Sequence, residues 1–383
     1  MTRIGVNLLW LVPGEVGGSE EYTVGLLGAL ADAEFDDLEV ILYVNRRFAE
    51  VHRDLCARFT TVVAPISGTS RPLRVLAEST WLARRTRRDR VAAVHHAGGT
   101  MPILRTVPGL VTLHDLQPIT DPAQFGPIKR RYIAAVAPRS LRAARRVVCL
   151  SAFVAGDAVA VAGVDPTRIA LVPSGVDPAV RVPAPEQQQA ALAALGLVDR
   201  RFIVYPAITY PHKNHRTLVA AFARLLGTDR RDQPMLVLTG GVGPAEEALA
   251  AEIARLGLGD SVRRPGRVPA EVLDILYRHA TLMAFPSTYE GFGLPLLEAM
   301  VRGCPVVASA VGGLVEVGGD AVDALDPLDV AGWAAALGRM LDDEDHRTGA
   351  IRRGLEQSGR FRWSGSATAL AATYRSVIAP SAS

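Results

Sequence analysis

The chain has 383 residues, 49% of them hydrophobic and 21% charged, with a formal net charge of +3. That length suits two or three domains with buried cores, the composition excludes a disordered chain, and the near-neutral balance gives no ground for nucleic acid as a partner. Three scattered cysteines, Cys56, Cys149 and Cys304, fit neither a disulfide framework nor a zinc spacing and point to a reduced, cytoplasmic setting.

The opening "MTRIGVNLLWLVPGEVGG" lacks a long apolar core followed by a small-residue cleavage site, so it reads as a first strand rather than an export signal. No apolar run reaches the ~18 residues of a membrane span. Strand-like runs stand at residues 3–10, 38–44, 60–64, 91–96, 110–114, 146–150 and 169–173, with helical stretches between most of them. Their continuous apolarity predicts strands covered on both faces, as in parallel sheets. Strands alternating with helices are βαβ grammar. Residues 174–191 are rich in Pro, Gly and polar side chains and read as a linker. The pattern restarts at 201–206, 235–241, 281–286 and 305–309, and a last helix is predicted over 363–378. The expected fold class is α/β, with two Rossmann-like domains at 1–178 and 179–363, and with 364–383 returning to the first. Ligands of such sheets lie beyond the carboxyl ends of the strands, so two facing domains would make a central cleft there.

The segment "STYEGFGLPLLEAMVRGCPVVAS" (287–309) places two glutamates around a glycine-rich turn in front of an apolar helix. Pro295 suits the first turn of that helix. The amides of Leu296 and Leu297 would then point off its end and form an anion site. Gly291 and Gly293, flanking Phe292 and followed by Leu294, let a ligand come close to the backbone. Glu298, one turn inside, can accept two hydrogen bonds from the vicinal hydroxyls of a ribose. Glu290, in the loop, is best used on the hydroxyls of a sugar. Hydroxyls, phosphate and hydroxyls in a row outline a nucleotide sugar. Either glutamate alone is more readily a helix-start or solvated loop residue, so the reading rests on the whole constellation.

The longer stretch "YEGFGLPLLEAMVRGCPVVASAVGGLVEVGGDA" resembles the E-x7-E segment of the retaining glycosyltransferase family 4, of GT-B fold. The Glu290-to-Glu298 spacing matches, as does the glycine turn at Gly312 and Gly313. The resemblance extends over essentially the whole chain and is strongest over 200–330. It implies a retaining hexosyltransferase of the kind used in polysaccharide biosynthesis, with a nucleotide-sugar donor and a glycan, lipid-linked or small-molecule acceptor. It further implies that Lys213, in "YPAITYPHKNHRTLVAAF", contacts the diphosphate, which a lysine can do as a point charge. The family often has an arginine six residues earlier; here that position is Ala207, which leaves the second phosphate cation unassigned. The "YP…PHKN" loop resembles mannosyltransferase-like members, a lean toward GDP-mannose. By the same resemblance His114 lies near the transferred sugar and the loop with Gly17 and Gly18 reaches toward donor or acceptor. Arg267 and Val268, in "RRPGRVP", would lie by the nucleobase. No metal-ligand cluster is evident, so no cofactor is expected: Lys213 and the helix end would meet the charge of the diphosphate.

Other features read as structural. Asp115 and Ser151 would cap turns or helices, His212, Asn214 and His215 would be cap and loop residues, and the glycines of 238–249 would be geometric. Two arginine-rich stretches, 71–90 and 128–146, are either solvated helix faces or surfaces that rest on anionic lipid at the inner face of a membrane. Two further readings stay open: a non-catalytic nucleotide-sugar binding module and a sugar-nucleotide epimerase of the same fold. A periplasmic sugar-binding protein is disfavoured by the lack of an export signal.

Overall fold

A computed structural model describes residues 1–33, 35–177, 182–228 and 232–378. The chain forms two compact units, Met1–Gly175 with Arg362–Ser383, and Val176–Phe361. The boundary expected at residue 178 falls on positions 178–181, outside the described residues, as do positions 379–383 of the expected C-terminal segment.

Among the described residues, the first unit carries a seven-stranded sheet. Its strands are β1 (Thr2–Leu8), β2 (Leu38–Val44), β3 (Thr60–Val63), β4 (Ala93–His96), β5 (Gly109–Leu113), β6 (Arg146–Cys149) and β7 (Ile169–Leu171). The order is β3-β2-β1-β4-β5-β6-β7 and every pairing is parallel. The second unit carries a six-stranded sheet of β8 (Phe202–Pro206), β9 (Met235–Thr239), β10 (Val262–Gly266), β11 (Leu282–Phe285), β12 (Val306–Ser309) and β13 (Asp323–Leu325). Its order is β10-β9-β8-β11-β12-β13, again all parallel. Every residue of β4, β5, β9, β11 and β12 is buried. That is the physical reason for the unbroken apolar runs. In each sheet the strand order reverses once, between β1 and β4 and between β8 and β11. These switch points open crevices at the carboxyl ends of the strands.

Three elements differ from expectation. β10 has the sequence VRRPG and buries only Val262 fully, and β13 has three residues, none fully buried. Both are edge strands, where one neighbour is missing and apolar patterning is weak. The second half of the expected linker is a helix, Pro185–Ala194. Pro185 stands in its first turn, and the Ala184 amide donates to Gln187 Oε1 at 3.1 Å. Only Leu192 of that helix is buried, so it carries little apolar signal.

The last helix, Trp363–Ile378, belongs to the first unit. Its Tyr374 hydroxyl lies 2.9 Å from His95 Nδ1, Ser366 Oγ donates to the Pro173 carbonyl at 2.7 Å, and Arg375 pairs with Asp37 at 2.7 Å. The arginine-rich stretch 71–90 forms helical turns Arg71–Ala77, Glu78–Leu82 and Ala83–Arg88, the middle one a π turn. No helix among the described residues is long and apolar enough to cross a membrane.

Candidate active site

Lys213 ends a short 3-10 turn, Pro211–Lys213, in the loop after β8. The next residue, Asn214, takes a left-handed conformation. Its Nδ2 donates to the carbonyls of Pro286 (3.0 Å) and Pro327 (2.7 Å), which ties this loop to the loops after β11 and β13. From the β11 side, the Thr288 amide donates to the His212 carbonyl at 2.7 Å. These clasps bring Lys213 Nζ to 2.5 Å from Glu290 Oε1, across the switch point of the second sheet. Ser287, fully buried, donates from Oγ to the same carboxylate oxygen at 2.7 Å. Tyr205 Oη donates to the Lys213 carbonyl at 2.8 Å and lies 3.2 Å from Ser287 Oγ. Burial pushes the Tyr205 phenol well up, with Ser287 opposing and the Glu290 charge adding, so it stays a donor.

The backbone of the Glu290 loop is gripped as well. The Gly313 amide donates to the Glu290 carbonyl at 2.9 Å. A Cβ on Gly313 would stand 2.4 Å from the Gly291 carbonyl oxygen, so the turn after β12 needs glycine there. Gly293 has φ 101° and caps the helix Leu294–Val301, with Pro295 in its first turn as expected. The expectation for Leu296 is corrected: its amide donates to the Gly293 carbonyl at 3.0 Å and does not face outward. Pro295 has no N–H, so the helix-start amides without an intrahelical acceptor are the earlier ones, of Gly293 and Leu294. The side chains of Phe292, Leu296 and Leu297 are buried, Phe292 edge-on to Phe361 with ring centroids 5.8 Å apart, so only backbone is offered to a ligand there.

Glu298 is half-buried on the same helix. The Tyr277 hydroxyl donates to its Oε2 at 3.2 Å. Arg302 donates to the Glu298 carbonyl at 2.8 Å, covers the Tyr277 ring at 5.6 Å, and pairs with buried Asp274, which also holds Arg278 at 2.6 Å. Burial, then the Glu298 charge, push the Tyr277 phenol well up and keep it protonated. Arg267 is exposed and Val268 half-buried, just beyond the carboxyl end of β10. The glycines of 238–249 serve close packing: a Cβ on Gly240 would lie 2.3 Å from the Ala207 carbonyl oxygen. His215 starts the helix after Lys213 and is buried against the Tyr205 ring rather than in a loop.

In the first unit, Gly17 (φ 57°) caps the helix Gly18–Asp32, and the space beside Gly17 and Gly18 is open. The loop is held by Glu20, whose carboxylate accepts from the Gly14 amide (2.7 Å) and lies 2.8 Å from His52 Nε2. His114 follows β5, with Tyr22 of that helix edge-on at 5.5 Å and Trp10 at 5.9 Å. Its Nε2 donates to the Ala97 carbonyl at 2.8 Å, which fixes the tautomer and leaves Nδ1 as the acceptor. Burial lowers its pKa to about 4 against the opposing Ala97 bond, so the ring is neutral at pH 7. Asp115 and Ser151 act as caps, accepting from the amides of Gln117 (3.0 Å) and Val154 (3.1 Å). A depression of about 610 Å³ lies at the opposite, amino-terminal edge of this sheet, beside Gly109 and Arg145; ligands of open α/β sheets bind at the carboxyl edge.

Thus Lys213, Glu290, Gly291–Leu294 and Glu298 flank one edge of the second sheet, and Gly17, Gly18 and His114 one edge of the first. Tyr205, Tyr277, Asp274, Ser287 and Arg302 were not singled out from the sequence. Only Ser287 carried a local signal, three residues before Glu290 at a strand end.

Residues 16–180 match the profile described as Glycosyltransferase Family 4, and residues 188–357 match Glycosyl transferases group 1. The chain is 32% identical over 266 residues to O-antigen chain mannosyltransferase B of Escherichia coli, covering 70% of each protein. The chain belongs to glycosyltransferase family 4. A more partial match within the family is 35% identity over 252 residues to D-inositol 3-phosphate glycosyltransferase of Salinispora arenicola, 62% of this chain and 56% of that protein. Among solved structures, sucrose-phosphate synthase of Thermosynechococcus elongatus superposes with a TM-score of 0.77 at 22% identity over 99% of both chains. Anabaena HepE in complex with UDP-glucose does so with a TM-score of 0.77 at 19% identity, over 98% of this chain and 100% of that one. The fold is therefore the GT-B fold of the family.

Proposed function

We propose that this family 4 glycosyltransferase moves a hexose from a nucleoside-diphosphate sugar to a sugar, glycan or lipid-linked acceptor with retention of configuration, mannose being the favoured hexose. The observation that carries the reading is the Lys213–Glu290 pair at the switch point of the second sheet, fixed by Ser287 and Tyr205 beside a helix start. A cation and helix-start amides suit a diphosphate, and the carboxylates of Glu290 and Glu298 suit the hydroxyls on either side of it. In this reading Glu298 holds the ribose and Lys213 with the amides near Leu294 holds the diphosphate. Glu290 orients the sugar, and backbone at Arg267 and Val268 meets the base. His114, neutral with Nδ1 as acceptor, serves the transferred sugar as a hydrogen-bond partner. The charge of the leaving diphosphate is met by Lys213 and the helix dipole, so the reaction needs no resident metal.

The E. coli relative is named a mannosyltransferase and HepE is seen with UDP-glucose, so the test spans both bases. Thermal shift is measured with UDP, GDP, ADP and their sugars. A ligand at a hundredfold excess over its Kd stabilises by about 2.7 kcal/mol. The matching nucleotide is expected to give such a shift and Glu298→Ala to remove most of it; a full shift in the variant would remove Glu298 from the ribose. NMR of the glycosidic product reads the anomeric outcome, and an inverted product would refute retention.

A further inference from the structure

The first sheet has a switch point of its own. Asn7, next to last in β1, is in register with His96, the last residue of β4. The Asn7 amide is fixed at both ends: Oδ1 accepts from the Leu9 N–H at 3.1 Å, and Nδ2 donates to Glu78 Oε1 and to His96 Nδ1, each at 3.2 Å. His96 therefore accepts at Nδ1 and carries its proton on Nε2. Glu78 reaches this point from the first residue of the π turn Glu78–Leu82, which interrupts the helical run 71–88. Such turns recur at functional sites. A cavity of about 20 Å³, room for one water-sized group, is lined by Glu78, Leu82, Val94, His96, Arg105 and Thr106, the last two also bordering the depression beside Gly109.

A carboxylate needs a donor and an imidazole N–H needs an acceptor. A hydroxyl, whether of water or of an alcohol, is neutral and both at once. We propose that Asn7, Glu78 and His96 form a hydroxyl-binding subsite in the first unit, taking one hydroxyl of a sugar or cyclitol. Glu78 accepts from that hydroxyl, His96 Nε2–H donates to it, and Asn7 holds both side chains in place. The occupant is the acceptor of the transfer, so the assignment rests on the transferase reading above. Burial raises the Glu78 carboxyl to about 7 in spite of the Asn7 bond and the Arg74 charge, with Tyr132 also facing it.

The test uses the full chain with 13C-labelled glutamate, the Glu78 carboxyl resonance being identified by its loss in Glu78→Gln. Methyl α-D-mannopyranoside and myo-inositol are titrated in turn as probes. At least one is expected to move the Glu78 resonance to saturation. The same probe should bind Glu78→Gln roughly tenfold more weakly, as expected for loss of a buried hydrogen-bond partner. A Glu78 resonance unmoved by both probes up to their solubility, or a probe whose binding is indifferent to the variant, overturns the subsite. Should Glu78→Gln fold poorly, Glu78→Asp supplies both the missing resonance and the binding comparison. The thermal shift with UDP and GDP is run alongside: its absence in the wild type defeats the transferase reading, whereas its presence with an unmoved Glu78 defeats only the subsite.

Discussion

The two sheets have the same parallel design and the same reversal of strand order, yet different chemistry sits at the two reversals. In the second unit the crevice holds a partly exposed ion pair, Lys213 with Glu290, braced by the hydroxyls of Ser287 and Tyr205. In the first it holds side chains that burial drives toward neutrality: His96, lowered to about 3, and Glu78, raised to about 7, bridged by Asn7. A cation that is paired yet reachable can exchange its carboxylate for a phosphate. A neutral, directional network is better matched to hydroxyls. The second unit thus offers a charged crevice and the first a neutral polar network, the contrast that the proposed transfer from an anionic donor to a hydroxylic acceptor would use.

The sharpest way to break that contrast is to remove the cation. Lys213→Ala leaves Glu290 with Ser287 as its remaining side-chain donor and takes away the charge assigned to the leaving diphosphate. Transfer is expected to fall by roughly 100- to 1000-fold, the scale of losing one electrostatic stabiliser of a transition state. Calorimetry should show weaker binding of the matching nucleoside diphosphate. Lost turnover with unchanged nucleotide affinity would take Lys213 off the diphosphate.

Much of this arrangement was legible because its signals are local. The buried strands announce themselves as unbroken apolar runs such as LEVILYV, and the Glu290–Glu298 segment lies within a few residues. What was not legible depends on residues far apart in the chain. Nothing near Tyr277 says that its hydroxyl reaches Glu298, and nothing near Glu78 says that it meets Asn7, 71 residues away. Leu296 was misjudged for a different reason: its amide is taken by a tight turn of the backbone onto the Gly293 carbonyl, a bond that the residue types at 296 and 297 do not announce. β10 and β13 escaped because edge strands bury too little to leave a pattern. The helix Pro185–Ala194 did leave a signal, a proline in the first turn and a glutamine two residues later, but its polar composition masked it.

The contrast also predicts different responses to acid. His95, His96 and His114 are held neutral in the first unit by burial, at about 3, 3 and 4, against His215 at about 4 in the second. Below the ordinary histidine pKa of about 6.5, the unfolded chain takes up protons that these folded side chains refuse. Their contribution is complete above that value and is lost as pH falls toward the folded pKa. Glu78 works in the opposite sense between about 4.5 and 7, a single group against three. The first unit should therefore lose hydrogen-exchange protection before the second on acidification. His95→Gln, which can still reach Tyr374 and Thr112, should flatten the loss by about one proton, up to ~1.4 kcal/mol per pH unit. Equal acid sensitivity of the two units would break the contrast.

The smallest effect is also the most discriminating. With Lys213 Nζ at 2.5 Å from Glu290, a diphosphate has to draw the lysine away from a carboxylate already in place. Glu290→Gln keeps the side-chain shape and an oxygen for Ser287 but removes the competing charge. Nucleoside diphosphate should then bind about fivefold more tightly, the ~1 kcal/mol scale of a modest ion pair. Transfer should nevertheless fall, because the sugar loses its carboxylate. Calorimetry with UDP or GDP beside turnover of the sugar nucleotide reads both quantities. Weaker diphosphate binding in Glu290→Gln would mean that Glu290 aims the lysine instead of restraining it, and the charged crevice would then be a prearranged anion site with no exchange of partners.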